Sequence, residues 1–393
     1  MVEEFAMGIV RFFLHPLVYF FIGMALLIGY GRVKRERHHF HIRVHDLFQE
    51  LRFLLSSGIV IGLILSLVTI GIGLVVPFES IVLIGGVTVL ASFLLKMRLL
   101  SPAYVIGLAF FGGIFLSTTS IDLAIVENLA IDISDTGLVS IVILLGLLVI
   151  AEGVLIRKNG PVHTSPQLMT SKRGFSIGFH ISQRLWMIPV FLLVPGQAIP
   201  TQFDWWPIFA IGDGQYSLFL VPFGIGFYQR VQGMLPTDLV KFTGRRIIVL
   251  GVSVLLLAIV SIWFPFVAII AVSVAIIGRE IISLRQRLTD ESLPFYFSKK
   301  EFGIIVVGII PKSPAEKMAL QVGEVITKVN GEKIKTAADF YQALQKNRAF
   351  CKLDVIDTNG EVRFVQRALY DGEHHELGIL FVNEEKKWET EAV

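Results

Sequence analysis

Five apolar stretches, at residues 12–30, 53–76, 79–95, 99–117 and 137–155, constrain this chain more than any other feature. Each approaches the roughly 20 residues that a helix needs to cross the hydrocarbon core of a bilayer. In that solvent only a backbone that satisfies its own hydrogen bonds is tolerated. Composition agrees: 54% of residues are hydrophobic, 17% are charged, and the mean hydropathy is +0.70, which is the range of integral membrane proteins. Two further regions are harder to read. Leu185–Val194 and Ser217–Tyr228 are apolar but short, with Pro195 and Pro200 between them. They are expected to be two tilted or broken helices or a re-entrant pair. Ile247–Ile277 is too long for one ordinary span, and Phe264-Pro265 near its middle predicts a kink or a tight hairpin. About eight or nine spans are therefore expected within residues 1–287. The first is read as a retained span rather than a cleaved signal, since Glu3 and Glu4 stand where cations belong and no small-residue cleavage site precedes Gly31-Arg32.

Loop charge gives the orientation, because Lys and Arg stay on the cytoplasmic side. Arg32, Lys34, Arg35, Arg37, Arg43 and Arg52 follow the first span, Lys96 and Arg98 the third, and Arg157, Lys158, Lys172, Arg173 and Arg184 the fifth. Lys241, Arg245 and Arg246 precede the long run, and Arg279, Arg285 and Arg287 follow it. The opposite loops carry Asp122, Glu127, Asp132, Asp135, Asp204 and Asp213 and no cation. The alternation places the N-terminus outside and the C-terminal domain in the cytoplasm, and requires the long run to be a hairpin. Gly58 and Gly62 form a small-xxx-small pair, and Gly85-Gly86 and Gly112-Gly113 are expected to allow close helix approach.

Chemistry is sparse in the membrane half. Buried ionisable groups normally mark transport paths, yet the clear spans hold little beyond Glu152, which is expected to snorkel near Arg157, Glu79 in a turn, and His15-Pro16. No internal repeat points to a transporter. A zinc protease needs His-Glu-x-x-His on a helix; the one His-Glu pair, His375-Glu376, lacks the second His. No nucleophilic serine has a partner His inside a span. Ile211-Gly212-Asp213 matches only part of an intramembrane aspartyl motif, since Ala210 replaces its first glycine. The single cysteine, Cys351, excludes an internal disulfide, and no Cys/His spacing fits a metal. No enzymatic activity, cofactor, metal or nucleic-acid partner is expected.

Two segments suggest binding. From Gly31 to Leu47, cations and histidines interleave with apolar residues. Arg32, Lys34, Arg35, Arg37 and Arg43 are candidates for contact with anionic lipid or a cytoplasmic partner, beside the plainer reading of a positive flank leading into the next span. After a linker at 288–301, residues 302–383 alternate strand-like runs with turn signals. Ser313 is placed to cap a short helix from Pro314, Asn330-Gly331 marks a hairpin, and Thr336 caps a helix at Ala337–Lys346 with Phe340 and Leu344 inward. Cys351–Asp357 and Glu361–Ala368 form a second hairpin. A charged tail, 384–393, closes the chain.

The run Ser313-Pro314-Ala315-Glu316-Lys317-Met318-Ala319-Leu320 followed by Gly323-Glu324-Val325-Ile326-Thr327-Lys328-Val329-Asn330-Gly331 resembles the bacterial PDZ signature. The resemblance implies a small α+β domain, a partly open barrel of five or six strands with two helices, attached to a polytopic α-helical membrane domain. Leu377-Gly378-Ile379-Leu380-Phe381 resembles the PDZ carboxylate-binding loop and the strand after it, displaced to the end of the domain as in circularly permuted members. Ligand capture is then expected by strand addition, with Ala338, Tyr341, Gln342 and Gln345 lining the groove.

The architecture, with Phe13-Leu14-His15-Pro16-Leu17 and the run from Arg35 to Val44, resembles the MinJ family of cell-division topology factors. That resemblance implies a membrane-anchored adaptor at septa and poles. Its partners would be a DivIVA-like scaffold, the division inhibitor MinD with MinC, other divisome proteins, and the bilayer. Two other classes compete: a PDZ-bearing membrane peptide sensor or transporter, and a regulator of an intramembrane protease.

Overall fold

The computed structural model describes residues 2–118, 135–200, 205–211, 214–347, 349–370 and 377–382. Five of its helices are long and apolar enough to span a bilayer: α2 (Pro16–Phe40), α3 (Gln49–Gly71), α6 (Asp135–Asn159), α7 (Pro236–Val260) and α8 (Phe266–Ser292). An N-terminal helix α1 (Val2–Leu14) and the shorter apolar helices α4 (Phe78–Phe93) and α5 (Pro102–Thr118) join them. The chain is therefore a multi-pass membrane protein. His15-Pro16 separates α1 from α2, with Pro16 at the first helical position, where a missing N–H is harmless. The long apolar run is a hairpin, with Phe264 and Pro265 in the turn between α7 and α8. The predicted acidic residues Asp122, Glu127, Asp132, Asp204 and Asp213 lie outside the described residues.

Leu185–Val194 and Ser217–Tyr228 are strands, not helices. They form a long antiparallel hairpin of β2 (Ser176–Pro200) and β3 (Gln215–Val231), with β1 (Ser165–Thr170) on the other edge of β2 at its base. The prolines explain the correction. Pro189 and Pro195 would each break a helix, whereas a strand edge accepts a residue without an N–H. Pro189 and Pro222 face each other in the register, and both belong to the set whose backbone points out of the hairpin.

A strand edge in hydrocarbon must be covered, and α3 covers that of β2. Cβ atoms at Gly58 and Gly62 would lie 1.9 Å from Met187 O and 2.2 Å from Pro189 O, so only glycine admits this approach. One turn further, Ser66 Oγ accepts from Phe191 N–H (2.8 Å) and Thr69 Oγ1 donates to Phe191 O (2.8 Å). Val76 N–H then donates to Leu193 O (2.8 Å). The contacts from Gly58 to Thr69 run from about 14 to 30 Å along α3 at 1.5 Å per residue. The Gly58/Gly62 stripe thus packs a helix on a strand edge, not on another helix. Gly86 and Gly112 meet nothing within 4 Å, and Gly85 touches only a Leu17 methyl at 3.5 Å. Close helix approach falls instead between α6 and α7, where Gly153 and Gly251 face the backbone of Ile248 and Ile150.

The C-terminal domain contains β4 (Ile304–Ile305), β5 (Gly308–Ile309), α9 (Pro314–Lys317), β6 (Val325–Val329), β7 (Glu332–Lys333), α10 (Ala337–Lys346), β8 (Phe350–Ile356), β9 (Val362–Ala368) and β10 (Ile379–Leu380). Local rules set these elements. Ser313 accepts from Glu316 N–H at 3.4 Å, Asn330 and Gly331 take the left-handed conformations of a tight hairpin turn, and Thr336 with Asp339 forms a capping box. One sheet runs β4-β6-β8-β9, with β7 also on β6, and β10 pairs with β5 in a second. The sheets do not close into the expected barrel. Ile326, Val329, Phe340, Leu344, Leu353, Leu377 and Phe381 fill the core around the buried Cys351, whose thiol burial pushes up to about 12.

Candidate functional site

β10 closes the described chain yet lies antiparallel to β5 near the start of its domain. This is the displaced strand order expected from Leu377–Phe381. Ile310 N–H donates to Gly378 O and Val307 N–H to Leu380 O, both at 2.8 Å. Alternate residues of a ladder face opposite ways, so the N–H and C=O of Ile379 point away from β5. Helix α10 stands against the same strand, its Phe340 ring 5.1 Å from that of Phe381. A strand with a free edge beside a helix can accept an extended peptide by backbone pairing.

The predicted groove residues divide into two sets. Leu377, Ile379, Leu380 and Phe381 are buried, so they offer backbone rather than side chains. Gly378 has φ +79°, and a Cβ there would lie 2.3 Å from Ser313 Cβ. It is required by the fold, and Gly378→Asp would damage the domain as well as any site. On α10, Ala338, Gln342 and Gln345 are exposed, while Tyr341 is half-buried with its ring 5.3 Å from Phe340.

The basic segment also divides. Lys34, Arg37 and Arg43 are exposed. Arg32 is 3% exposed and held by Glu36 and Glu50, so its charge is used inside the protein. Glu50 Oε1 also accepts from Arg184 (2.8 Å), and Glu36 accepts from Val44 N–H (2.8 Å), His45 N–H (3.0 Å) and Ser165 Oγ (2.9 Å). Arg35 donates to Gln183 Oε1 (2.9 Å). Two arginines and two glutamates thus tie α2, the 41–48 loop, α3 and β2 together. His45 in that loop is held down to about 3 by burial and by the charge of Arg32; burial and Arg184 lower His163, whose ring is 5.3 Å from it.

Glu152 does not snorkel toward Arg157. It is fully buried and accepts from Arg279 (3.1 and 3.2 Å) and Ser101 Oγ (2.7 Å). A cavity of about 380 Å³ does open among α2, α4, α5 and β3, but its walls are apolar, among them Leu17, Ile84, Val105, Val221 and Phe223. That is not the polar path a transporter needs.

Sequence reasoning missed the seam between the two halves. Phe297 is fully buried, and its carbonyl accepts from Gly178 N–H (2.8 Å). His180 lies 2.8 Å from Val307 O through Nε2 and 2.9 Å from Thr164 Oγ1 through Nδ1, with its ring over Phe297. A carbonyl only accepts, so Nε2 carries the proton and Thr164 donates to Nδ1. Burial holds this imidazole down at about 4. The available signal was a lone His and a lone Arg184 inside an otherwise apolar stretch.

Comparison with known proteins agrees with this anatomy. Residues 305–355 match the PDZ domain family. The chain is 42% identical over 382 residues to the cell division topological determinant MinJ of Bacillus subtilis (strain 168), covering 97% of this chain and 95% of that one. It is 26% identical over 380 residues to a probable cell division topological determinant MinJ of Lacticaseibacillus paracasei, covering 93% and 94%.

Proposed function

This chain belongs to the MinJ family of cell-division topological determinants, and on that premise we propose that it is a membrane-anchored adaptor in division-site selection. It links a DivIVA-like polar and septal scaffold to MinD, and through MinD to MinC, by cytoplasmic surfaces that include the PDZ groove. The N-terminus lies outside, the PDZ domain lies in the cytoplasm, and the protein concentrates at septa and poles. The free edge of β10 beside α10 carries this reading. It is a binding surface attached to spans whose buried charges are paired internally, Arg32 with Glu36 and Glu50, and Glu152 with Arg279. Basic loops at 31–52 and 157–184 support the orientation.

The test is the position of a fluorescent fusion of the full-length protein in dividing cells. Enrichment at septa and poles that disappears when the scaffold is deleted is the expected result. An even distribution that ignores the deletion would overturn the adaptor reading.

A further inference from the structure

The apolar cavity among α2, α4, α5 and β3 is long and narrow. The α4 residues that line it run from Phe78 to Val89, about 16 Å at 1.5 Å per residue. On β3 the lining runs from Phe219 to Ile225, about 20 Å at 3.3 Å per residue. A volume of about 380 Å³ over that length leaves a mean section of roughly 19 to 24 Å². A helix with its side chains is about 10–12 Å across and needs several times that section. A single hydrocarbon chain fits. Pro16, Phe78, Val82 and Gly86 are exposed, so the slot opens on the outer surface of the spans, while Ile84, Val105, Val221 and Phe223 behind them are buried.

Glycine makes the room. A Cβ at Gly86 would meet nothing within 4 Å, and one at Gly85 only a Leu17 methyl at 3.5 Å. The Gly85-Gly86 pair, which brings no helix backbone close, thus keeps the slot open. Along its back the slot follows the edge of β3 that pairs with no strand among the described residues. Pro222, whose backbone points out of the hairpin there, has no N–H to leave unmet. The polar side chains on the lining are His15 and Thr88. Thr88 Oγ1 donates to Ile84 O (2.7 Å) within its own helix. His15 stands beside Phe219, toward the hairpin tip and away from the PDZ domain. Its Nδ1 accepts from Leu17 N–H (3.3 Å), so a neutral ring carries its proton on Nε2, which makes no hydrogen bond among the described residues.

We infer that the slot binds one acyl tail of a membrane phospholipid, with His15 Nε2–H donating to the ester carbonyl at its mouth. Water is a poor occupant, because apolar walls offer it no partners. Bilayer tails are as apolar as the slot, so the preference comes from close packing and the His15 bond rather than from leaving water. The inference concerns the membrane half and does not depend on the division reading.

The test uses the full-length protein in nanodiscs of phosphatidylglycerol, doped with the same lipid carrying a diazirine on one tail. After illumination, adducts mapped by mass spectrometry should concentrate on Val82, Val221 and Phe223. The variant Gly85→Leu/Gly86→Leu should melt at the native temperature and lose slot adducts about tenfold, since one misplaced methylene in an apolar pocket already has an effect of that size. Gly112→Leu is the control. A Cβ there also meets nothing within 4 Å, but Gly112 lies outside the slot, so its adducts should match the native protein. An ether-linked analogue, which has no carbonyl for His15, should label the slot about fivefold less, the worth of one hydrogen bond. Adducts as dense on the exposed faces of α7 and α8, slot labelling that survives the glycine variant, or an equal loss in Gly112→Leu would overturn the inference. Equal labelling by the ester and ether lipids would overturn the His15 contact.

Discussion

Glu152 and Arg43 are both charged, but the molecule uses them in opposite ways. Glu152 sits among the spans, fully buried, with Arg279 and Ser101 closed around it. Arg43 sits in the loop after α2, exposed and without an ion pair among the described residues. The same contrast holds for the backbone. The outward edge of β2 is covered by Gly58, Gly62, Ser66 and Thr69 of α3, while the outward edge of β10 pairs with no strand among the described residues. In hydrocarbon an unmet polar group costs several kcal/mol, so the membrane half meets the Glu152 charge and the β2 edge from within. In water an open edge costs little, so it can be kept for binding. Under the proposed function this contrast is a division of labour: one half would anchor and the other dock.

The contrast breaks most visibly at Glu152. Glu152→Ala leaves the Arg279 charge buried without its partner and should cost about 3–5 kcal/mol, read as lost thermal stability in detergent. Glu152→Ala/Arg279→Met should recover most of that loss. Equal losses in the single and double variants would mean that the pair is not a closed unit. A smaller effect is expected at the covered strand edge. Gly58→Val forces α3 away from Met187 O and should cost about 3 kcal/mol or less, the usual range for overpacking. The same change at exposed Gln345 on α10 should be nearly silent.

The seam gives the smallest effect, and it depends on pH. His180 is held down at about 4 when docked and returns toward 6.5 when exposed. Protonation therefore favours the undocked form. Docking is complete above pH 6.5 and weakens as pH falls toward 4, by about 2 kcal/mol at pH 5. The neighbours of the ring, Thr164, Val307 and Phe297, carry no charge to offset this. Proteolysis within residues 293–303 should quicken between pH 7.5 and pH 5. His45 and His163 shift in the same direction, so His180→Gln isolates the seam by flattening its share. A cleavage rate that ignores both pH and the substitution would show that the seam does not open.

The sequence made some of this legible and hid the rest for identifiable reasons. Apolar runs of helical length, the Phe264-Pro265 turn and the Asn330-Gly331 hairpin are local signals, and the structure follows them. Ala337–Lys346 was legible to the residue because Thr336 and Asp339 cap it. The β2–β3 hairpin was hidden because an apolar segment buried on both faces shows no alternation; Pro189 and Pro222 were the clue. Gly58 and Gly62 announced a close approach but not its partner, since small-xxx-small spacing serves a strand edge as well as a helix. Arg32 and Arg37 look alike in sequence. One turn of helix or so separates a buried pair with Glu50 from an exposed guanidinium, and only the fold decides which is which.

The central claim is that docking belongs to the cytoplasmic surface and anchoring to the spans. The most direct test is to image a full-length fluorescent fusion carrying Arg37→Gln, Arg43→Gln, Ala338→Glu and Gln345→Glu in dividing cells, beside the native fusion at matched abundance. All four positions are exposed, so insertion and accumulation should be unchanged. The account expects the variant to remain in the membrane and lose its enrichment at septa and poles. A stably inserted variant that still concentrates there as the native protein does would contradict it, and would move the docking surface into the membrane half.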